Sequence, residues 1–570
     1  MSKPNQQSKE QPYDAIVVGS GISGGWAAKE LCEKGLKTLV LERGRMVRHV
    51  VDYPTMNMNP WDLKYADRVP PEEIKKHYFK QNRTGYTVRQ STKHWWVKDD
   101  ENPYSEIKRF DWIRGYHVGG RSLLWGRQSY RWSEMDFEAN AKEGIAVDWP
   151  IRYKDIAPWY DYVESFIGVN GKKEGLPQLP DGQFLPPMEM NCLEEHVREQ
   201  IAQKYTDRLM TIGRSANLTV AHNGRGKCQF RNLCIRGCPY GAYFSSNAST
   251  LPAAEKTGNM TLRPNSIVNA ILYDKEKKRA RGVRVIDAET NEVLEFEARV
   301  IFLCASTVGS TWILLNSIDQ GDLPDGLGNT SGELGHNLMD HHFRVGAHGR
   351  YDGFEDKYYK GRRPNGIYIP RFRNLDEQTR QKNFLRGYGY QGGASREGWY
   401  RAVAELGFGK QLKELITEPG PWRMGLTGFG ECLPYHENKM MLNKEVLDKW
   451  GQPTVTFDAE WKENELEMRK DMGQQAAEML EAAGLKDVQI YDAGSWPGLG
   501  IHEMGTARMG RDPKTSVLNE WNQMWDVPNV FITDGSCMTS SACQNPSLTY
   551  MALTARAANY AVEELKKMNL

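Results

Sequence analysis

Between Asp14 and Glu42 the chain carries a strand, a glycine turn, a helix and a second strand in immediate succession, and few folds accept that order. Asp14-Ala-Ile-Val-Val18 is an apolar run of strand length, and Gly19-Ser-Gly21-Ile-Ser-Gly24-Gly25 follows at once. Trp26 to Lys34 has helical character and is stopped by Gly35, and Thr38 to Leu41 is a second strand ending at Glu42. This is a βαβ unit with a G-x-G-x-x-G turn. Gly19 permits the tight turn, Gly21 lets backbone approach a pyrophosphate, and Gly24 lets helix pack on strand. Phosphates then sit at the helix N-terminus, where free N–H groups and the dipole favour negative charge. Glu42, 21 residues beyond Gly21, stands where an acid accepts hydrogen bonds from ribose hydroxyls. An ordinary glycine turn needs none of these companions.

Composition narrows the rest. A chain of 570 residues exceeds one small core and implies about two domains. With 74 basic and 73 acidic side chains, net charge +1, it has no electrostatic footprint for nucleic acid or an acidic membrane. The 54 glycines and the 17 Trp, 26 Tyr and 17 Phe residues are not those of a disordered chain. No run reaches about 18 apolar residues, the length that spans a bilayer. Met1 to Gln11 is polar and lacks the apolar core of a signal peptide. Nine cysteines are too few and too uneven for a disulfide scaffold. These features predict a soluble, folded protein assembled inside the cell.

The glycine turn does not separate NAD from FAD, but the rest of the chain favours FAD. Val530-Phe-Ile-Thr-Asp534-Gly535 is another short buried strand. Asn545-Pro546-Ser-Leu-Thr opens a helix to about Lys567, with Asn545 as expected N-cap and Pro546 at the first position. A second glycine pair lies in Gly115-Tyr-His-Val-Gly119-Gly120-Arg-Ser-Leu-Leu-Trp125. Phosphate, ribityl chain and isoalloxazine need contacts from such scattered segments, whereas a simple NAD site is more local.

On these residues the chain resembles the glucose–methanol–choline (GMC) oxidoreductases, from Tyr13 to the C-terminal helix. The supporting motifs are the glycine turn, Val118-Gly-Gly-Arg-Ser-Leu-Leu-Trp, His502-Glu-Met-Gly-Thr-Ala-Arg-Met-Gly510, and Thr533-Asp-Gly with Asn545-Pro-Ser-Leu-Thr. Within the family it is most similar to bacterial sugar dehydrogenases, notably glucoside 3-dehydrogenase catalytic subunits. The resemblance implies a mixed α/β fold: a Rossmann-like FAD-binding domain with an inserted β-sheet substrate-binding domain. Residues 12–150, 227–331 and 496–570 are assigned to the first, and 151–226 and 332–495 to the second. Cofactor contacts are expected from Gly19, Gly21, Ser23, Gly24, Glu42, Arg43, Gly119, Gly120, Ser122, Asp534, Gly535 and Asn545. Val268 is implied near the adenine, with a plain core valine as the alternative. Some pyranose-oxidising relatives attach FAD through a histidine in the Val-Gly-Gly segment; Leu124 takes that place here, which implies non-covalent FAD.

Residues 45–110 are polar and aromatic without periodicity, and suit a lid, a structural cover or a subunit contact. Ile267–Tyr273, Gly282–Ile286, Val293–Glu297 and Val300–Cys304 are four strands of a predicted meander, followed by a helix from Ser310 to Asn316. An amphipathic helix is expected around Glu465 to Ala483. Asp340-His341-His342 raises a metal site, although adjacent histidines on a strand face opposite ways.

Cys228, Cys234 and Cys238, spaced C-x5-C-x3-C with Pro239 after the last, depart from an ordinary flavoenzyme. A structural zinc wants four ligands, and only His222 is near as a fourth. A disulfide would leave one thiol over. Iron–sulfur clusters are held by cysteine thiolates, and three thiolates suit a 3Fe–4S cluster. The same spacing carries such a cluster in the bacterial FAD glucose and fructose dehydrogenases that the chain resembles. The other six cysteines are expected to be buried thiols.

Flavin oxidation of an alcohol removes a hydroxyl proton while hydride passes to flavin N5, and histidine suits the proton. The resemblance assigns His502 as that base and Asn545, 43 residues on, as its partner; helix capping is the structural alternative for Asn545. It implies a pyranose or glycoside oxidised at a secondary hydroxyl, C3 first, with electrons leaving through the cluster to a cytochrome c. It also implies a small companion subunit with a twin-arginine signal, hence the periplasm rather than the cytoplasm. An oxygen-using sugar oxidase, and a flavin-dependent lyase or non-catalytic flavin-binding subunit, are the rival readings.

Overall fold

The computed structural model describes residues 13–318, 325–358, 363–398, 408–417 and 419–570, so the polar Met1–Gln11 stretch lies outside the described residues. Strand β1 (Tyr13–Val18), helix α1 (Ile22–Glu33) and strand β2 (Thr38–Leu41) form the expected βαβ unit. α1 starts four residues before Trp26, inside the glycine turn. The small Ser23, Gly24 and Gly25 there are buried, so helix and sheet close up. A Cβ on Gly24 would lie 1.9 Å from the Gly19 carbonyl oxygen. Gly24→Ala should therefore cost about 1–3 kcal/mol or more and empty the protein of cofactor, measured as Tm and flavin content.

β1 sits inside a seven-stranded sheet, between β2 and the strand Val293–Leu303, with Met260–Arg263 beyond β2. Two of the predicted meander strands prove to be one, because Val293–Leu303 changes partners along its length. Val293–Glu297 pairs antiparallel with Arg279–Asp287, half exposed. Beyond it, Ala298–Leu303 runs parallel to β1, and Ile301–Leu303 also pairs with Val530–Ile532, fully buried. The helix after it spans Thr307–Leu315, three residues earlier than expected.

A second, antiparallel sheet of six strands runs in the order Lys486–Asp492, His342–Tyr351, Trp422–Gly430, Tyr388–Arg396, Ile367–Ile369, Thr211–Ile212. Alternate residues of Trp422–Gly430 are buried, the period of a sheet covered on one face. Helices Glu463–Ala482 and Cys192–Lys204 supply that cover, with Met468, Met472 and Leu480 packed on Ile369, Tyr390 and Leu426. The hairpin Lys439–Asp458 lies in the stretch assigned to the second domain, yet it pairs with Ser105–Glu106 and buries Phe457 in the first core. Segment 45–110 has its own small core of Tyr53, Tyr78, Trp95 and Trp96. Among the described residues no helix is long and apolar enough to cross a membrane.

Candidate active site

A cavity of about 1700 Å³ opens between the C-terminal end of β1 and the uncovered face of the second sheet. On the β1 side the loop is fixed before anything binds. Both oxygens of Glu42 are engaged, one by the Ser20 amide (3.1 Å) and hydroxyl (2.6 Å), the other by the Gly44 amide (3.0 Å). Burial pushes the Glu42 carboxyl above its ordinary range, and these donors oppose the rise. Ser20 Oγ also accepts from the Gly119 amide (2.9 Å), which ties the two glycine segments together.

The expected cofactor residues divide into two groups. Gly19, Gly21, Ser23, Glu42, Arg43, Gly120, Ser122, Val268, Asp534, Gly535 and Asn545 all line the cavity. Gly24 and Gly119 stand behind it. Gly119 has φ +87°, and its missing Cβ leaves room for Asn247, which would otherwise be 1.6 Å away. Asp534 is held by Ser310 Oγ (2.5 Å) and Ser536 (2.5 Å), and Arg43 pairs with Asp448 (2.9 Å).

These residues fit FAD. Nothing lies within 4 Å of where a Cβ on Gly21 would stand, so backbone is bare toward the cavity. Tyr550, also lining it, has a buried hydroxyl without a partner.

At the other end His502 and Asn545 meet. His502 Nε2 lies 3.3 Å from Asn545 Nδ2. The C-terminal helix begins at Ser547, with Pro546 in the N-cap position. Asn545 stands just before the helix, with its side chain turned to Gln391 and His502. Gln391 fixes that amide by donating from Nε2 to Asn545 Oδ1 (2.7 Å), so the Asn545 NH2 faces His502.

His341 sets the histidine's tautomer. Its Nε2 sits 2.9 Å from the Ala542 carbonyl and 3.2 Å from that of Ser541, so it carries the hydrogen. His341 Nδ1 is then an acceptor, and His502 Nδ1, 2.9 Å away, must donate to it. That leaves the lone pair on His502 Nε2, turned toward the cavity. Burial, with smaller contributions from His341 and Arg121, holds His502 well below its ordinary pKa, so the ring is neutral at pH 7. Asp340 anchors the loop, accepting from the amides of His502 (3.0 Å), His341 (2.8 Å) and Gly500 (2.8 Å). Burial and the nearby Glu503 push its carboxyl up to about 8. His342 faces the other way, against Trp461 and Gly430.

Sequence reasoning raised His341 only for a metal site, not for its place beside His502, and it missed Gln391 and the pair Arg121–Glu503, whose guanidinium and carboxylate join at 3.1 and 2.9 Å. Arg121 and Glu503 each sit inside a quoted motif. Gln391 had no local signal, since its partner is 154 residues away.

The three cysteines line the same cavity as unpaired, half-buried thiols, and burial pushes the Cys228 thiol up. Left-handed backbone at Phe230, Asn232 and Gly237 turns the chain between them. His222 is turned to the Ser165 carbonyl (2.7 Å), away from a zinc role. Among the described residues no three His, Cys, Asp or Glu side chains converge as one ion requires. A multi-iron cluster, in which each thiolate takes a different iron, does not ask for that convergence. Arg231 and Arg236 bind the segment to Met56, Asn57 and Met58 of the 45–110 cover, Arg236 at 3.1 Å and Arg231 at 2.9 Å to Asn57.

Residues 13–343 match the N-terminal and 434–554 the C-terminal family model of the GMC oxidoreductases. The chain is 29% identical to 2-methyl-1,2-propanediol dehydrogenase of Mycolicibacterium austroafricanum, over 96% of this chain and 94% of that one. It is 25% identical to the fructose dehydrogenase large subunit of Gluconobacter japonicus (97% and 98% covered). The gluconate 2-dehydrogenase flavoprotein of Pantoea cypripedii is also 25% identical (97% and 94%). Pyridoxine 4-oxidase from Mesorbium loti shares the fold, with TM-score 0.58 at 16% identity over 96% of this chain and 98% of that one. The chain belongs to the GMC oxidoreductase family, whose members bind FAD and act on the CH–OH groups of alcohols and sugars.

Proposed function

We propose that this protein is a dehydrogenase of a pyranose or glycoside, oxidising a secondary hydroxyl, C3 first. In this reading Cys228, Cys234 and Cys238 hold a 3Fe–4S cluster that supplies a one-electron exit toward a cytochrome c. The protein then works in the periplasm beside a small subunit bearing a twin-arginine signal.

The observation that carries the catalytic part is the unprotonated His502 Nε2, whose lone pair faces the Asn545 amide at 3.3 Å. FAD, when bound, supplies the acceptor for the substrate's hydride. His502 Nε2 takes the hydroxyl proton, and Asn545 Nδ2 donates to the same oxygen and holds it in place. His341 Nδ1 accepts from the imidazole as it becomes charged. Arg121 and Glu503 close the wall beside this pair as a matched ion pair.

The sign of the His502 shift gives a pH prediction. A base depressed below 6.5 stays unprotonated as pH falls through 6.5, where an ordinary imidazole would be half lost. The rate of flavin bleaching by substrate should therefore be level from pH 8 to below 6.5, then fall. A half-maximal rate at 6.5 or above would contradict it.

The substrate class is tested by screening sugars, glycosides, choline, aryl alcohols and small diols with an artificial dye acceptor. Activity confined to a non-sugar alcohol, such as the diol named for the Mycolicibacterium relative, overturns the sugar reading.

A further inference from the structure

The cysteine segment has an outer side that the cavity does not explain. From Arg208 to Ala254 the chain carries Arg208, Arg214, Arg225, Lys227, Arg231 and Arg236 and no acidic residue. A net charge of +1 for the whole chain hides this local excess. Arg214 is spent inside on Asp181 (2.9 Å), and Arg225 is buried against the Ile167 carbonyl. Lys227 is exposed, and Arg231 and Arg236 are half-buried. None of these three has a carboxylate partner among the described residues. The two arginines donate only to Met56, Asn57 and Met58 of the 45–110 cover. That cover does not cancel them, since residues 45–68 bring Arg45, Arg48, Lys64 and Arg68 against Asp52, Asp62 and Asp67.

Large apolar side chains crowd the same place. Phe230 stands two residues after Cys228 and Tyr240 two after Cys238, exposed by 43% and 47%. Backbone conformation holds Phe230 outward: φ is +54° there and +57° at Asn232, a region that a phenylalanine rarely enters. The Phe230 amide donates to Cys228 Sγ (3.4 Å), so ring and thiol stay together. The cover adds Val51 and Trp61, exposed by 67% and 80%, on either side of the stretch the two arginines grip. Beneath it Tyr53 packs on the Gly237 turn, 2.5 Å from where a Cβ there would stand. An apolar patch of this kind, rimmed by charge, marks an interaction site. The three thiols lie only half-buried under it.

We propose that this face docks a one-electron carrier protein whose haem edge is ringed by carboxylates. This rests on the one-electron exit proposed above. Lys227, Arg231 and Arg236 would repel a carrier with a lysine-ringed haem and attract one of opposite charge. Phe230 and Tyr240 supply the dry centre of the contact, beside Cys228 and Cys238. Each alcohol gives up two electrons and two protons; two ferric haems take one electron apiece, and the protons pass to water. An anionic lipid surface would meet the cations too, but it takes no electron from the thiols beneath the rings.

The test mixes the holoenzyme, reduced with one equivalent of dithionite under argon, with horse heart cytochrome c, whose haem edge is ringed by lysines. A second arm uses the same cytochrome with those lysines succinylated. At about 10 mM salt the succinylated form should be reduced at least about tenfold faster, and at about 0.2 M salt the two rates should converge. Lys227→Glu should cost the succinylated form about tenfold in rate and in Kd. Phe230→Asn, which suits the left-handed backbone, should cost a similar factor at both salts. Iron content and Tm should be unchanged in both variants, with reduction of an artificial dye within about twofold of wild type. Native cytochrome c reacting as fast as the succinylated form at low salt overturns the acidic carrier. Variants that react as wild type overturn the face. Binding to phosphatidylglycerol vesicles that Lys227→Glu abolishes, with both cytochromes reduced alike, makes it a lipid face instead. Dye reduced at full rate with neither cytochrome reduced overturns the one-electron exit itself.

Discussion

Replacing His502 with alanine should slow the bleaching of bound flavin by substrate at least about 10²-fold while the protein keeps its FAD and its Tm. The residue has no hydrogen bond to the glycine loop after β1, and its backbone amide still reaches Asp340. What disappears is the proton acceptor at the end of the cavity. His341→Ala should cost less, because His502 Nε2 remains, but it removes the acceptor that fixes the ring's hydrogen on Nδ1. The wrong tautomer then competes, and the acid limb of the pH profile moves. A His502→Ala enzyme bleached at near wild-type rate would place the base elsewhere and leave Asn545 without its assigned partner.

On the proposed cluster reading, Cys234→Ser should separate substrate oxidation from electron exit. Substrate should still bleach the flavin at close to the wild-type rate, since no cysteine touches His502 or Asn545 in the described structure. Transfer from substrate to cytochrome c should fall to near zero, and iron and acid-labile sulfide should vanish with it. Electron paramagnetic resonance of the oxidised wild type supplies the companion signature. Zinc in place of iron, or a Cys234→Ser variant that reduces cytochrome c normally, would defeat the cluster and raise the oxidase reading in its place.

The β1–α1–β2 unit was legible because each of its requirements is local: a glycine where φ is +95°, another where a helix meets a carbonyl, an acid at the next strand's end. His502 and Asn545 were legible through motifs carried by a family resemblance, not through spacing alone. The Val293–Leu303 strand was split in two because its exposure pattern changes midway, from one-sided meander to buried parallel strand. Pattern reading sees the change in environment but not the continuity of backbone. Asn545 was taken as an N-cap by a sound local rule with Pro546 first in the helix, and the helix runs from Ser547, one residue later. The roles of Gln391 and His341 could not be found because they exist only across the sheet and the loop these residues bridge.

The hydrogen bond from Gln391 to Asn545 joins a strand of the second sheet to the lead-in of the C-terminal helix. It bears on how such a protein can be redesigned. Grafting another relative's second sheet onto this chain looks like an exchange of specificity alone, with the reacting groups left in the host. Yet the graft would bring its own residue to position 391, and with it a new orientation for the Asn545 amide. A chimera that keeps the donor strand but restores glutamine there should recover turnover that the plain chimera lacks. The second sheet is not an interchangeable part, because through Gln391 it sets the orientation of a side chain beside His502.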